Sequence, residues 1–437
     1  MLEVPEDRAD PDGRRIELAW AVIPARNPEA APDPLAFLAG GPGQSARDIA
    51  PVMHAALSEV NLDRDLVFLD QRGTGGSNAL DCDFGGEEFL GDYEPEEAVD
   101  ALRDCLESLD ADVVHYTTAD GADDLEALRE HIGVEQWNLY GGSYGTRMGQ
   151  VYLRRYPGRV RTIVLDGVVP MRLALGSEHA EMLDRAIEKL LAACAADSAC
   201  DERFPGVVEA FDALKQRYAE TTQPIEVAHP RTGEPQPIDF TAMTLAGSLR
   251  FLAYAPESQV MIPLLVHEAA TTERPQRLAS QALIVSDQMT ASLAIALNFA
   301  VGCSEDWPVW PRDRDDAGTL LGDSMAELYD SVCTWWPTEP VGEDFHAPVE
   351  SEVPALLLSG EFDPVTPPAY GEEVAAQFPN SSHLVAEGRG HIVGTTPCLS
   401  GVIAEFVESA DAADLDVECM ARLGPEPFFL DLLGPNP

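Results

Sequence analysis

The run Gly141-Gly142-Ser143-Tyr144-Gly145 constrains this chain more than any other feature, because it lies between an apolar stretch at 137–140 and a helical stretch at 146–156. A serine on a tight strand-to-helix turn projects its hydroxyl above a sheet, and flanking glycines remove side chains that would collide there. The new helix points its positive end at the same place, and the N–H of Tyr144 is presented to a developing oxyanion. Ser143 is therefore the candidate nucleophile.

The surrounding pattern agrees. Short apolar runs at 16–23, 35–38, 65–69, 137–140 and 161–165 alternate with helical stretches, the rhythm of a mostly parallel sheet covered by helices. From about 171 to 350 the rhythm changes to helices alone, at 177–195, 207–219, 241–254, 258–270 and 280–299. Strand patterns return at 354–358 and 383–385, and 399–408 reads as a closing helix. The expected organisation is an α/β core at 1–170 and 351–437, split by an inserted helical cap at 171–350.

A serine hydroxyl needs a base and an acid to orient that base, in the chain order serine, acid, histidine. Asp363 follows the strand pattern at 354–358, and His391 follows the next one in Gly388-Arg389-Gly390-His391. Asp166, at the end of the run 161–165, and Glu361 compete for the acid, and His383 for the base; the loop after the penultimate strand favours Asp363. The glycines of Ala39-Gly40-Gly41-Pro42-Gly43 follow an early strand and leave bare N–H groups facing a substrate, so Gly41 joins Tyr144 as the expected oxyanion donor. Asp70-Gln71-Arg72-Gly73-Thr74-Gly75-Gly76-Ser77 lacks the spacing of a phosphate loop and is expected to support the site.

Composition excludes several functions. With 28 basic against 76 acidic residues the formal charge is −48, which repels nucleic acid and anionic lipid and suits a high-salt medium. There is no apolar run near the roughly 18 residues that span a bilayer, and no zinc-ligand spacing; no metal or cofactor is expected. The eight cysteines fall in neighbouring couples, 82 with 105, 194 with 200, 303 with 333 and 398 with 419, a pattern expected of disulfides in an oxidising compartment. Met1 is followed directly by acidic, proline-rich sequence, so an exported protein of this kind has its signal peptide outside this sequence.

Together, Gly40-Gly41-Pro42-Gly43, Asp70-Gln71-Arg72-Gly73-Thr74-Gly75, Gly142-Ser143-Tyr144-Gly145 and Gly388-Arg389-Gly390-His391 resemble the proline iminopeptidase and tripeptidyl aminopeptidase family over nearly the whole chain, including a TAP-like C-terminal segment. The resemblance implies an α/β-hydrolase fold, a mostly parallel sheet with helices on both faces and a helical cap. It also implies a usually exported enzyme that removes proline or short peptides from free N-termini. The proline iminopeptidase motif begins with histidine where this chain has Ala39. The family's cap carries acids that bind the substrate's α-ammonium, and Glu305 in Cys303-Ser304-Glu305-Asp306 is the matching candidate. Carboxylesterases and lactonases use the same triad, so a small peptide or an ester is the expected substrate.

Overall fold

The computed structural model describes residues 1–82, 95–290 and 293–435. Its strands are β1 (Leu2–Pro5), β2 (Arg15–Leu18), β3 (Trp20–Ile23), β4 (Leu35–Leu38), β5 (Leu66–Leu69), β6 (Trp137–Gly142), β7 (Val160–Asp166), β8 (Gln223–Ala228), β9 (Pro235–Phe240), β10 (Ala355–Gly360) and β11 (Ser381–Ala386). Seven of them form one sheet in the order β11-β10-β7-β6-β4-β5-β3, parallel except for the edge strand β3. β4, β5, β6 and β10 are buried at every residue, as strands covered on both faces must be.

The apolar run 16–23 becomes two strands. Ala19 breaks it; β2 pairs with β1 in a separate antiparallel ribbon, while β3 pairs with β5. One face of the main sheet packs on helices Thr118–Ile132 and Tyr144–Arg155 through Leu125, Leu128, Met148 and Tyr152. The other packs on helices Ala46–Ala56 and Pro397–Ser409 through Met53, Ile403 and Phe406.

Between β7 and β10 the chain leaves the sheet and builds a second apolar core, with Leu190, Phe211, Phe240, Leu249 and Val266 at its centre. This segment is not helical throughout: β8 and β9 form an antiparallel hairpin. Ile225 and Val227 alternate with exposed neighbours and face Ile238 and Phe240, a period of two obscured in the sequence by Pro224, Pro235 and Pro237. The stretch read as one helix over 280–299 is divided into Gln276–Thr290 and Ile295–Val301; its residues 291–292 lie outside the described residues. All four cysteine couples are disulfide-bonded as paired above. Among the described residues no helix is long and apolar enough to cross a membrane.

Candidate active site

β6 runs through the middle of the sheet and ends at Gly142, so Ser143 emerges at the carboxyl ends of the parallel strands, where open sheets bind ligands. Ser143 has φ 54° and ψ −123°, a conformation that costs a residue with a side chain about 1–3 kcal/mol. The turn is held on both sides. The Ser143 N–H donates to the Asp166 carbonyl at 2.8 Å, and the Ser143 carbonyl accepts the N–H of Thr146 at 2.8 Å and its hydroxyl at 2.7 Å. A Cβ on Gly145 would run into the carbonyl of Leu38, and one on Gly141 into the carbonyl of Gly145. Both outer glycines of the motif are thus fixed by close backbone approach.

β10 and β11 deliver the candidate acid and the candidate base. His391 Nδ1 lies 2.8 Å from Asp363 Oδ2. The other oxygen of Asp363 accepts the N–H groups of Val365 and Thr366 at 2.9 and 2.8 Å, and the Thr366 hydroxyl donates to Oδ2 at 2.7 Å. The Asp363 oxygen facing Nδ1 accepts a hydrogen bond from that nitrogen in this geometry, which turns Nε2 away from the acid. The inserted segment completes the mount. The His391 N–H donates to the Tyr254 carbonyl at 2.9 Å, and the Tyr254 ring lies 5.0 Å from the imidazole, centre to centre. A cleft of about 270 Å³ opens beside His391, lined by Tyr254, Pro256, Ile392, Thr395 and Glu426 among others.

Asp166 joins the serine turn to the histidine loop. Its carboxylate accepts the N–H groups of Val393 and Gly394 at 2.9 and 2.7 Å and the Tyr140 hydroxyl at 2.5 Å. Burial raises its pKa against the pull of these donors. With those oxygens committed, it is Asp363 that meets the imidazole nitrogen. The other rivals are also engaged: Glu361 pairs with Lys189 at 3.0 Å and accepts the Gly388 N–H, and His383 bonds the Ser359 hydroxyl at 2.9 Å.

The loop 40–43 lies against the serine. A Cβ on Gly40 would sit 3.2 Å from that of Ser143, and Gly41 has φ 108°. The Gly43 carbonyl accepts the Ala294 N–H at 3.0 Å, and the Asn298 amide approaches the Pro42 carbonyl at 3.5 Å, so the inserted segment also braces this loop. Tyr144 opens helix Tyr144–Arg155, and the first N–H groups of a helix have no partner within it.

Glu305 is placed differently from the expectation of a carboxylate presented to a substrate ammonium. It is fully buried; Oε1 accepts the Thr118 N–H at 2.6 Å, Oε2 accepts the Thr118 hydroxyl at 2.8 Å, and Arg147 stands 3.7 Å from Oε2. An ammonium ligand would have to displace these partners. The Thr118 hydroxyl is also 2.7 Å from that of Tyr144, which accepts the Gln71 amide at 3.2 Å. Glu305 thereby braces the residue beside the nucleophile. Burial lifts its carboxyl to about 8, against the opposing pull of Arg147, whose closer carboxylate is Asp306 at 2.8 Å.

The glycine-rich segment 70–77 is tied to its neighbours by buried side chains. Asp70 accepts from the Ser45 hydroxyl and from the N–H groups of Arg47 and Gly76, and the fully buried Arg72 grips Asp124 through two 2.7 Å bonds. Thr366, Thr118 and Tyr254 were not singled out in the sequence. Thr366 alone carried a local signal, since Asp-x-x-Thr at a turn lets the hydroxyl reach back to the carboxylate.

Residues 33–395 match the family described as alpha/beta hydrolase fold. Among curated proteins the chain is 25% identical over 433 residues to the serine protease Hip1 of Mycobacterium tuberculosis, covering 90% of this chain and 81% of that one. It is also 25% identical over 464 residues to a tripeptidyl aminopeptidase of Streptomyces lividans, covering 98% and 84%. Among solved structures, the proline iminopeptidase of Mycobacterium smegmatis aligns over 94% of this chain and 98% of its own, with 16% identity and a TM-score of 0.45.

Proposed function

Since the chain belongs to the alpha/beta hydrolase family, we propose that it is an exported serine peptidase releasing proline or short peptides from free N-termini through an acyl-enzyme. The observation that carries this reading is the 2.8 Å bond between Asp363 and His391 Nδ1, in a loop tied through Asp166 to a serine held on a strained turn. Similarity to a serine protease and a tripeptidyl aminopeptidase over nine-tenths of the chain or more supports the peptide substrate. The four disulfides support export.

In this reading His391 Nε2 takes the Ser143 proton as Oγ attacks the scissile carbonyl. The N–H groups of Gly41 and Tyr144 receive the oxyanion, and Asp363 stabilises the imidazolium without itself taking the proton. The tetrahedral intermediate collapses as His391 passes that proton to the leaving amine. A water, deprotonated by His391, then attacks the acyl-serine and frees the acid, returning Ser143 to its hydroxyl form. The inserted segment acts as the cap, and Glu305 acts through Thr118 on Tyr144.

The test is a substrate panel comparing Pro- and Ala-p-nitroanilides, with free and acetylated N-termini, against p-nitrophenyl esters. Preference in kcat/KM for free-amine anilides over acetylated ones is expected. Equal cleavage of both, with faster ester hydrolysis, would replace the peptidase with a carboxylesterase or lactonase.

A further inference from the structure

The inserted segment brings an arginine close to the catalytic histidine. Arg250 lies on helix Ala242–Leu252 and is half-buried. Its Nε donates to the Tyr254 hydroxyl at 3.3 Å, and that tyrosine's ring packs on His391. Arg250 also acts electrostatically on the buried His179, which feels His391 as well, and on the Tyr329 hydroxyl. Tyr329 in turn donates to Asn298 at 3.1 Å, the residue whose amide approaches the Pro42 carbonyl of the oxyanion loop. Arg250 is therefore tied to the histidine loop through Tyr254.

Among the described residues no carboxylate pairs with Arg250, and its terminal nitrogens have no protein acceptor, in a chain with 76 acidic residues against 28 basic ones. The described titratable neighbours do not supply the missing charge: burial holds the Tyr329 phenol well above its usual range, and burial together with Arg250 keeps His179 unprotonated, with its Nδ1 buried and unbonded. A guanidinium keeps its charge when half-buried, and its paired donors match a carboxylate.

From this cation, whose terminal nitrogens meet no acceptor among the described residues and whose Nε is bonded to Tyr254 over His391, we infer that Arg250 binds a substrate carboxylate close to the scissile bond. The inference rests on the hydrolase site proposed above and narrows its substrates to anionic ones. Two sources present this group, the free C-terminus of a short peptide and an aspartate or glutamate side chain.

The experiment measures kcat/KM for free-amine peptides made as C-terminal acid and amide, and for amidated peptides carrying Asp or Asn near the cleaved bond. The wild type should favour the carboxylate member of at least one pair by about tenfold or more. Arg250→Gln should bring that ratio close to one, and Arg250→Lys should restore part of it. A pair of esters, 3-carboxyphenyl acetate and phenyl acetate, reads the same preference without a peptide bond. If no peptide is cleaved but the carboxylated ester is preferred in an Arg250-dependent way, the peptidase reading falls and the arginine site stands. Equal rates within every pair in the wild type, or a ratio unchanged in Arg250→Gln, overturns the inference; the wild-type ratios decide it alone if the variant does not fold.

Discussion

The carbonyl of Asp166 accepts the Ser143 N–H at 2.8 Å, and the carboxylate of the same residue holds the backbone just beyond His391. The serine turn and the histidine loop are therefore registered on one buried residue, the first by its backbone carbonyl and the second by its carboxylate. Asp166 is consequently a positioning residue, which separates its expected phenotype from that of Asp363.

Asp363→Asn should melt near the wild type but lose about 10³–10⁴ in kcat, because an amide turned towards Nδ1 selects the wrong imidazole tautomer. Asp166→Asn should instead lower stability by about 1–3 kcal/mol, since its amide would face an N–H or hydroxyl that needs an acceptor. Denaturant melts and kcat measured together check both. A stable, inactive Asp166→Asn beside an active Asp363→Asn would exchange the two roles.

Ser143→Ala should abolish turnover and fluorophosphonate labelling, with a loss of several orders of magnitude in kcat. Ser143→Gly should be equally inactive yet melt higher than Ser143→Ala by about 1 kcal/mol, because glycine adopts φ 54° without strain. Activity within tenfold of the wild type in either variant would remove Ser143 as nucleophile.

Thr366→Val keeps the shape but loses the hydroxyl that fixes Asp363 Oδ2 at 2.7 Å. We expect kcat to fall by about ten- to a hundredfold with KM little changed, and Thr366→Ser to recover most of it. A change confined to KM would speak for a substrate contact instead.

Glu305 gives a pH signature. Burial lifts its folded pKa to about 8 from the ordinary 4.5, so between those values the folded protein keeps a proton that the unfolded chain has lost. Its contribution to stability is complete below about pH 4.5, declines as pH rises towards 8, and is constant above that. Glu305→Gln should remove this decline, visible as a smaller loss of Tm between pH 5 and pH 9 than in the wild type. It should also change kcat/KM for free and acetylated peptides by the same factor; a loss confined to free amines would return Glu305 to the ammonium role.

The Cys303–Cys333 disulfide has 30 residues of separation and flanks Glu305. Replacing both cysteines by serine should cost about 3–4 kcal/mol on chain-entropy grounds, measured by denaturant unfolding. Ellman titration of the denatured, unreduced protein should find no thiol.

The sequence made the site legible wherever chemistry forces a local pattern. Gly141 and Gly145 are dictated by backbone contact and Ser143 by the turn they make, so five consecutive residues announced the strained turn and its candidate nucleophile. Asp363 and His391 were legible from chain order and strand ends. What escaped depended on contacts between distant segments: Tyr254 reaches His391 across 137 positions, and Thr118 meets Glu305 across 187. Glu305 itself was picked out for its charge, which says nothing about which partners occupy its oxygens. The β8–β9 hairpin escaped for a local reason, the prolines that edge strands tolerate and sequence patterns penalise.

β10 pairs with β7, Ala355 opposite Ile163, so the sheet resumes after an excursion of almost two hundred residues. A ribosome that has made everything up to β7 has made the serine and its turn, yet neither Asp363 nor His391. The proposed triad is therefore complete only once the last fifth of the chain has arrived and docked beside β7. For the exported peptidase proposed above, this order of synthesis keeps the two halves of the site apart until the far end of the chain has followed.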